Sequence, residues 1–487
     1  MEYDIMNKKE RSNSFSSELG IKVEQDKVSE WYNRIIKEAG LIDQGPARGT
    51  IVLRPYGYAL WKQVQKFLGA TIEENGVKDA YFPAIIPENL LTKEKEHIEG
   101  FAPEFLRVQS KGSVVGVLRP TSEAVMYPLF AKWIQSYRDL PLQINQWCNV
   151  FRDELRPYPF MRTTEFLWQE GHCVYASSKE NEEAVMNFLK MYENFFHNTL
   201  SLAPIFGKKS EKEKFAGAFY TTTGEAILPG GKVLQVCTSH NLGKNFSEAF
   251  NIQFLDKEGE LNYPYQTSWG LSWRVIGAMI MTHGDKKGLI LPPEMAPTQV
   301  VIIPIRGENL ESKVFQVAKE VKGELSNFKV ELDESEERPG ALYNYHELRG
   351  VPLRIEIGPR DLQNNQVITA NRLTGEKTPL PLKILKKGVQ EILSSIQKSL
   401  LERAKDLVEE NTHEVSTWKE FKEMIDTRQG FLRTYHCGER SCEQQIQDEA
   451  KATLRCIPFG YEKSEGICVR CGKSSGYDQK VLFAKAY

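Results

Sequence analysis

Polar and large apolar side chains alternate in two stretches of the segment Asn145–His172, on either side of a loop rich in arginine and proline. This alternation predicts two β-strands, because residues two apart lie on one face of a strand. Arg152 and Glu154 are predicted to share a face of the first strand. The second strand is predicted to present aromatic and titratable side chains together: Phe166, Trp168, Glu170 and His172. Such a face is typical of an active-site floor, and the arginines of the segment indicate an anionic ligand. A solvated hairpin is the competing interpretation.

Two further segments have the periodicity of helices. Apolar residues recur every three or four positions after Gly57 and predict a helix that ends near Asn75, followed by a short strand over 79–83. Downstream, Arg274 begins an apolar helix that contains glycine. Arginine is rarely buried without a partner, so Arg274 indicates a nearby anion such as a phosphate.

The patterning predicts three domains, over residues 1–295, 296–398 and 399–487. The first mixes helices with strands of antiparallel character, after a polar start that we expect to be loose as far as a helix containing Trp31. The third begins with a charged helix near residue 400 and ends in a cysteine cluster. The second alternates strands with helices, which is typical of a compact α/β domain. Its strands are predicted near 300–305, 328–333, 352–357 and 366–371, and its helices near 310–325 and 341–348.

Four late cysteines have the spacing of metal ligands: Cys437, Cys442, Cys468 and Cys471. They form a C-x4-C pair and a C-x2-C pair, and two such pairs can surround zinc tetrahedrally. Two disulfides or reduced structural cysteines are the alternatives. The N-terminus has no apolar segment typical of a secretion signal, which disfavours disulfides. We therefore expect a structural zinc ion.

Composition restricts the class of protein. The 487 residues are 41% hydrophobic with a formal net charge of -2, and no apolar run approaches the ~20 residues of a membrane span. We expect a cytoplasmic globular protein without a membrane partner. A nucleic-acid partner would need a local basic patch, and a solvated loop is the equal alternative. The candidates for that patch are Lys208, Lys209, Lys212 and Lys214.

The order of these elements resembles motifs 1, 2 and 3 of class II aminoacyl-tRNA synthetases. The matching segments are the helix and strand from Gly57 to Pro83, the strand with Arg152 and Glu154, and the helix that begins at Arg274. The resemblance implies an α+β protein with a catalytic domain built on an antiparallel sheet. An α/β anticodon-binding domain and a small zinc-binding α+β domain would follow. Motif 1 forms a dimer interface in that family, so we expect a homodimer.

Four segments are similar to prolyl-tRNA synthetases, in particular to the archaeal and eukaryotic-type branch: Arg119–Glu123, Arg162–His172, Glu213–Gly217 and Val481–Tyr487. The likeness covers nearly the whole chain. It implies ATP-dependent attachment of L-proline to tRNA(Pro) through a prolyl-adenylate, with Mg²⁺ on the phosphates. By the same resemblance Arg152 and Arg274 are catalytic, and the C-terminal residue folds back towards the active site in relatives.

The resemblance also implies the ligand contacts of individual residues. Proline would be held by Thr121, Glu123, Arg152, Trp168, Glu170, His172, Phe215 and His240. ATP would be held by Arg152, Glu154, Arg162, Thr163, Gln235, Thr238, Ser272 and Arg274. Two guanines of the anticodon would be read by Glu347, Arg354 and Arg360, and zinc would be held by the four cysteines. Structural interpretations compete at several positions, such as a helix cap at Thr121, core histidines, and surface ion pairs in the anticodon domain.

Two alternative functions stay open at this point. A synthetase for threonine, serine, glycine or histidine would share the three motifs but not the segments Thr121–Glu123 and Trp168–His172. A synthetase-like binding protein without activity would typically lose a phosphate-binding arginine. Arg152, Arg162 and Arg274 are all present, which favours an active enzyme.

Overall fold

The computed structural model describes residues 27–90, 105–305 and 311–487, so the start that we expected to be loose lies outside the described residues. The elements before residue 295 are α1 (Val28–Glu38), β1 (Ile42–Gln44), β2 (Ile51–Leu53), α2 (Pro55–Glu74), β3 (Lys78–Asp79), β4 (Ile85–Ile86), β5 (Arg107–Ser110), β6 (Ser113–Leu118), α3 (Glu123–Trp133), β7 (Leu142–Phe151), β8 (Glu165–Tyr175), α4 (Ser178–Phe195), β9 (Ile205–Lys208), β10 (Tyr220–Ile227), β11 (Val233–Gly243), α5 (Asn245–Ala249), β12 (Phe254–Leu255), β13 (Leu261–Asn262), β14 (Tyr265–Ser272) and α6 (Arg274–His283). The predicted hairpin and the helices predicted around Trp31, from Gly57 and from Arg274 are confirmed.

The remaining elements continue from residue 300 to the C-terminus. They are β15 (Val300–Pro304), α7 (Glu311–Glu324), β16 (Val330–Leu332), α8 (Pro339–Leu348), β17 (Leu353–Ile357), α9 (Pro359–Gln363), β18 (Gln366–Asn371), β19 (Lys377–Pro381), α10 (Leu385–Glu410), β20 (Thr412–Glu414), α11 (Trp418–Thr427), β21 (Phe431–Thr434), α12 (Arg440–Ala450), β22 (Thr453–Pro458) and β23 (Val481–Ala484). Every strand and helix predicted between 300 and 371 is therefore present.

Two details of the predicted strands are wrong. Pairing of β7 with β8 ends at Phe151, so Arg152 and Glu154 lie in the loop that follows rather than on the strand. That loop contains prolines, which have no N–H to donate to a neighbouring strand. The strand predicted over 79–83 is also shorter, because only Lys78 and Asp79 pair with β7.

One sheet of eleven strands carries both the candidate site and the C-terminal region, in the order β20-β21-β23-β22-β9-β10-β11-β14-β8-β7-β3. The two regions join where β22 pairs with β9, at Ile457 with Lys208 and Pro458 with Gly207. A Cβ at Gly207 would come within 2.3 Å of the Ile457 carbonyl oxygen, so this close pairing requires glycine. The C-terminal region is thus an extension of the main sheet, which the sequence did not indicate.

A second sheet, in the order β16-β15-β17-β18-β19, forms the core of the α/β region. The strand β15 is parallel to both of its neighbours, β16 and β17, whereas β18 is antiparallel to both β17 and β19. The long helix α10 packs buried residues such as Val389 and Leu400 along one stripe. The stripe continues on both sides of residue 398, so the predicted domain boundary at that residue lies within α10.

Helix α4 covers one face of the main sheet and leaves the other face for the candidate site. The Phe188 ring stacks on Trp269 with a centroid separation of 4.0 Å. Gly171 lies beside Trp269 across the β8–β14 pair, and a Cβ there would be 2.0 Å from the indole ring. Alternation along the strands then directs the neighbouring residues, Glu170 and Gly270, to the opposite face.

No helix within the three described ranges combines the length and the apolar character that a membrane span requires.

Candidate active site

The face of the main sheet opposite α4 gathers polar side chains from four adjacent strands, β7, β8, β14 and β11. Residues that lie directly opposite each other on neighbouring strands share a face. The cross-strand partners on this face are Gln146, Glu170, Gly270, Ile144, His172, Ser268 and His240. The predicted alternation in β8 is therefore correct, and it produces a polar floor rather than a solvated hairpin.

Glu170 is buried at the centre of a hydrogen-bond network on this floor. Its Oε1 accepts from Ser122 Oγ and from Gln146 Nε2 (2.9 Å), and its Oε2 lies 3.1 Å from His172 Nε2. Burial acts to raise the pKa of Glu170, but these hydrogen bonds and the charge of His172 outweigh it and lower the pKa. Burial acts to lower the pKa of His172, but the Glu170 hydrogen bond and the charges of Glu123 and Glu170 raise it. The two side chains form a buried ion pair.

Thr121 and Glu123 form one wall above the floor. Both are buried, and Thr121 Oγ1 donates to Glu123 Oε2. Thr121 is not a helix cap, because Ser122 is the N-cap residue of α3. The negative charge of Glu123 acts on both Arg152 and His172, so this carboxylate belongs to the same site.

Phe215 and His240 form a second wall. Their ring centroids are 4.8 Å apart, and Phe215 N–H donates to Thr221 Oγ1 (2.9 Å). The Thr221 hydroxyl is therefore free to donate to His240 Nδ1, which lies 2.9 Å away. Burial, with the charge of His172, lowers the pKa of His240 to about 3, so this ring is neutral.

Arg152 lies beside these walls, in the loop that follows β7. Its guanidinium stands 5.3 Å from the Phe166 ring centroid and 5.7 Å from that of Trp168, and it donates to Pro120 O at 3.2 and 3.3 Å. The side chain is accessible to solvent but surrounded by protein atoms. Desolvation by these protein atoms lowers its pKa, although the charges of Glu123 and Glu170 act to raise it.

Arg274 is the first residue of α6. Its guanidinium donates to two neutral carbonyls, Met161 O (3.1 Å) and Gln235 O (3.3 Å). Burial and, after it, the positive charges of Arg152 and Arg162 together lower its pKa to about 10. Two of the arginines predicted for the triphosphate, Arg152 and Arg162, therefore both act on the third, Arg274. Such mutual repulsion is relieved by an anion.

Glu154 and Thr163, the two residues predicted to contact adenine, both belong to the β7–β8 connection. The Glu154 carboxylate accepts from the Arg156 backbone N–H (2.9 Å) and so supports the loop conformation. Thr163 Oγ1 is buried and, among the described residues, has no hydrogen-bond partner. An orphaned buried hydroxyl is a plausible contact for a ligand atom.

Gln235, Thr238 and Ser272 belong to β11 and β14, the two adjacent strands that pack against α6. Gln235 and Thr238 belong to β11, and Thr238 lies opposite Gly270 of β14. Ser272 Oγ accepts from the Arg274 backbone N–H at 3.4 Å and so supports the start of α6. The predicted ATP residues are thus neighbours in the fold.

Glu225 forms a buried ion cluster with Lys209 and Arg455 that sequence reasoning missed. Lys209 Nζ lies 2.6 Å from Glu225 Oε1, and Arg455 Nη2 lies 2.6 Å from Glu225 Oε2. Lys209 is therefore not part of a surface patch for nucleic acid, as its lysine-rich segment had suggested. Lys212 and Lys214 also form ion pairs with glutamates of their own loop.

Ser268 is a second residue that sequence reasoning missed. It lies between His172 and His240 on the site face, and its buried Oγ has no hydrogen-bond partner among the described residues. The signal was present in the alternation of Thr267–Ser272, but only the register of β14 shows which side faces the site.

The C-terminal residue Tyr487 folds back onto the β7–β8 loop. Its backbone N–H donates to Val233 O (3.0 Å), and its ring centroid is 5.6 Å from that of Tyr158. The positive charge of Arg162 acts on its hydroxyl. The return of the chain end towards the active site, described above for relatives, is therefore a feature of this structure.

The four late cysteines come together near the C-terminus. Cys442 Sγ and Cys468 Sγ are 3.8 Å apart, and ligand atoms of His436, Cys437, Cys442 and Cys468 all lie within 4.8 Å of one another. Burial acts to raise the pKa of Cys471, but hydrogen bonds from Lys473 N–H and from the other three thiols lower it. A set of clustered thiols fits a soft metal ion such as zinc. His436 was not predicted.

The predicted anticodon residues fall into one pair and one separate residue. Arg354 is buried, stands 4.0 Å from the Tyr343 ring centroid, and forms ion pairs with Glu347 (3.2 Å) and Glu356 (3.0 Å). Arg360 is exposed in the short helix α9. The predicted alternative of ion pairing is thus observed at Arg354 and Glu347.

Comparison with protein families explains this arrangement. Residues 108–283 match the family model "tRNA synthetase class II core domain (G, H, P, S and T)", and residues 299–392 match "Anticodon binding domain". The fold and this match define a class II aminoacyl-tRNA synthetase.

Residues 418–487 match "Prolyl-tRNA synthetase, C-terminal". The proline--tRNA ligase of Alkaliphilus oremlandii is 45% identical over 465 residues, which cover 94% of this chain and 96% of that protein. Proline--tRNA ligase of Clostridium novyi is 44% identical, with 94% and 96% covered, and proline--tRNA ligase 2 of Bacillus cereus is 44% identical, with 96% and 98% covered. The chain belongs to the prolyl-tRNA synthetase family.

Proposed function

We propose that this chain attaches L-proline to tRNA(Pro) in two steps, through a prolyl-adenylate made from ATP. The observation that carries the proposal is the cationic cradle, by which we mean Arg152, Arg162 and Arg274 together. The charges of Arg152 and Arg162 act on Arg274, and the Arg274 guanidinium donates to neutral carbonyls. The cradle adjoins a small polar pocket with an internal ion pair. Membership of a class II synthetase family supplies the reaction that such a combination serves.

In the first step a carboxylate oxygen of proline attacks the α-phosphorus of ATP, and the bond to the β-phosphate oxygen breaks. Two anions have to approach each other, so cations that strengthen their hold as charge builds up lower the barrier. Arg152 would hold the α-phosphate and the carboxylate, and Arg162 and Arg274 would hold the β- and γ-phosphates. The chain supplies no nucleophile, and its contribution is positioning and electrostatics.

Proline would lie between the two walls described above. Thr121 and Glu123 are positioned to accept from its secondary ammonium, which would replace the hydrogen bond that they now share. Trp168, Phe215 and His172 would enclose the ring. The remaining predicted pocket residues, Glu170 and His240, would fix these groups through the buried ion pair and the contact with Phe215, and Ser268 would complete the floor.

ATP would extend from the pocket along the cradle. Glu154 and Thr163 would contact adenine, and the ribose and phosphates would lie near Gln235, Thr238 and Ser272. Class II synthetases use Mg²⁺ with ATP. Glu225, whose charge reaches Arg274, is already paired with Lys209 and Arg455 and so would not be available to hold Mg²⁺.

In the second step a ribose hydroxyl at the 3′ end of tRNA(Pro) attacks the activated carbonyl, and AMP leaves. Arg354, Glu347 and Arg360 would read two anticodon guanines, since arginine pairs with guanine O6 and N7 and a carboxylate accepts from N1 and N2. Arg354 would have to exchange part of its ion pairing for the base.

Cys437, Cys442, Cys468 and Cys471 would hold one structural zinc ion, since all four thiols interact. His436 already uses Nδ1 to accept from the Gly438 N–H (3.1 Å), which favours the four cysteines as ligands. The zinc would fix the ends of two loops and would take no part in the reaction.

We further propose a homodimer that works in the cytoplasm. Motif 1 forms the dimer interface in class II synthetases, and Tyr58 on α2 (42% exposed) and Tyr81 (72% exposed) would lie at that interface. The three-domain division and membership of the archaeal and eukaryotic-type branch also stay proposals.

Pyrophosphate exchange with each of the twenty amino acids tests the function. We expect ATP formation that depends on proline, and loss of at least about a hundredfold in Arg274→Ala. Exchange that depends on threonine, serine, glycine or histidine instead would contradict the proposal, and so would an Arg274→Ala variant as active as the wild type.

A further inference from the structure

The loop between β9 and β10, residues 209–219, connects the candidate proline pocket to the C-terminal region. Its far part carries Phe215, which contacts His240 and is fixed by the hydrogen bond to Thr221. Its near part is a single turn, in which the Lys214 N–H donates to Ser210 O (2.9 Å). The position of Phe215 therefore depends on how this turn is held.

Helix α12 holds the turn through three side chains spaced along one side of the helix. Glu443 Oε1 accepts from Ser210 Oγ (2.9 Å), and Gln447 Oε1 accepts from Lys212 Nζ (2.5 Å). At the start of the helix, Arg440 Nη2 donates to the carbonyl oxygen of residue 211 (3.1 Å). Positions 440, 443 and 447 recur at spacings of three and four, so they lie on one face of the helix.

The contact at Ser210 is buried and is continuous with the turn itself. Ser210 and Glu443 are 2% and 1% exposed. The Ser210 hydroxyl also accepts from the Glu213 N–H (3.2 Å) while it donates to Glu443. Removal of the carboxylate acceptor would leave the serine hydroxyl unsatisfied and the turn held from one side only.

We propose that α12 positions the proline-binding loop, so that Glu443 and Gln447 are positioning residues for proline although they belong to the C-terminal region. The inference rests on the proposed function, because it assigns Phe215 to the proline pocket. Cys442 precedes Glu443 directly, and the metal site therefore lies at the start of the same helix. The C-terminal region thereby acts on the amino-acid site without contacting the substrate.

Glu443→Leu removes the acceptor at similar volume, and Glu443→Gln keeps an acceptor oxygen. We expect Glu443→Leu to raise the KM for proline about five- to tenfold, because the loss of one buried hydrogen bond leaves the loop that carries Phe215 less ordered. The KM for ATP should stay within about twofold. Glu443→Gln should restore the KM for proline to within about twofold of the wild type. Ser210→Ala removes the donor from the loop side and serves if Glu443→Leu fails to fold.

Gln444→Leu is the matched control on the same helix. Gln444 is exposed and donates to Asp448 one turn later, so its loss should leave both KM values unchanged. Trypsin cleavage after Lys212 or Lys214, followed by mass spectrometry, reports the order of the loop without any reaction. We expect faster cleavage in Glu443→Leu and Ser210→Ala than in Gln444→Leu.

An unchanged KM for proline in folded Glu443→Leu and Ser210→Ala would overturn the inference. Equal rises in the KM for proline and for ATP would also overturn it, because they indicate general damage. If the wild-type protein shows no proline-dependent exchange, the proposed function fails instead. The cleavage assay would then still decide whether α12 orders the loop.

Discussion

Replacement of Glu225 by glutamine would leave two buried cations without a counter-charge. The Glu225 side chain is 0% exposed, and its partners Lys209 and Arg455 are 5% and 9% exposed. The cluster joins β10 to β22 and to the end of β9, which is the junction between the main sheet and its C-terminal extension. Glutamine preserves the shape of the side chain and one acceptor oxygen, so the stability that is lost measures the contribution of the negative charge.

The expected magnitude follows from burial. Removal of one partner from a buried ion pair costs about 3–5 kcal/mol, because the remaining charge stays desolvated. Solvent screening is small here, since all three side chains are nearly inaccessible. We expect the lower end, about 3 kcal/mol, because the glutamine oxygen still accepts one hydrogen bond.

Glu414 provides a matched control with the same kinds of partner. It also pairs with one arginine and one lysine, Arg433 and Lys480, but its side chain is 44% exposed. Exposed ion pairs contribute about 0–1 kcal/mol, so Glu414→Gln should cost less than about 1 kcal/mol. The same chemical substitution is thus compared at two levels of burial.

Native-state hydrogen exchange is the suitable assay, because a chain of several regions has no single free energy of unfolding. Peptides over residues 205–227 and 453–458 should show the loss in Glu225→Gln. Burial acts to raise the pKa of Glu225, but Arg455 and Lys209 outweigh it and lower the pKa. The stabilisation is therefore present above the ordinary glutamate pKa and is lost as the pH falls through the lowered one. Equal opening free energies for Glu225→Gln and Glu414→Gln would refute this reasoning.

Three further predictions address other parts of the structure. The pKa of His172 is raised, so the stability that its ion pair with Glu170 contributes is present below about pH 6.5 and is lost as the pH rises through the raised value; native-state hydrogen exchange of peptides over residues 165–175 should show His172→Gln approaching the wild type at high pH, and a gap that widens would contradict this. Cys442→Ser should lower the zinc content measured by mass spectrometry from about one ion per chain, and an undiminished content would exclude this ligand. Arg354→Ala should weaken charging of tRNA(Pro) by roughly tenfold or more while pyrophosphate exchange is retained, and equal loss in both assays would indicate a structural role.

Strong local patterns in the sequence predicted the main elements of the site. The spacing of apolar residues after Gly57 and after Arg274 predicted α2 and α6, because packing against a core requires that periodicity. The alternation in β8 placed Glu170 and His172 on one face correctly. Arg152 lies one residue beyond the end of β7 and not on the strand as predicted. The end of a strand depends on where its partner strand ends rather than on its own composition.

Long-range pairing could not be predicted in the same way. The junction of β22 with β9 joins residues about 250 positions apart, and nothing local to Ile457 indicates it. The burial of Lys209 follows from that junction, because Arg455 of β22 and Lys209 both pair with the Glu225 carboxylate. Ser268 likewise acquires its place from the register of β14 between two other strands. The residue types of the site could thus be predicted from local sequence, whereas their arrangement depended on tertiary contacts.

The central claim is that three guanidinium groups from separate parts of the chain bind one triphosphate. A crystal structure with ATP and proline tests it most directly. We expect the α-phosphate within hydrogen-bond distance of Arg152, and the β- and γ-phosphates within reach of Arg162 and Arg274. A triphosphate bound elsewhere, with those three side chains still engaged by the protein alone, would contradict the account.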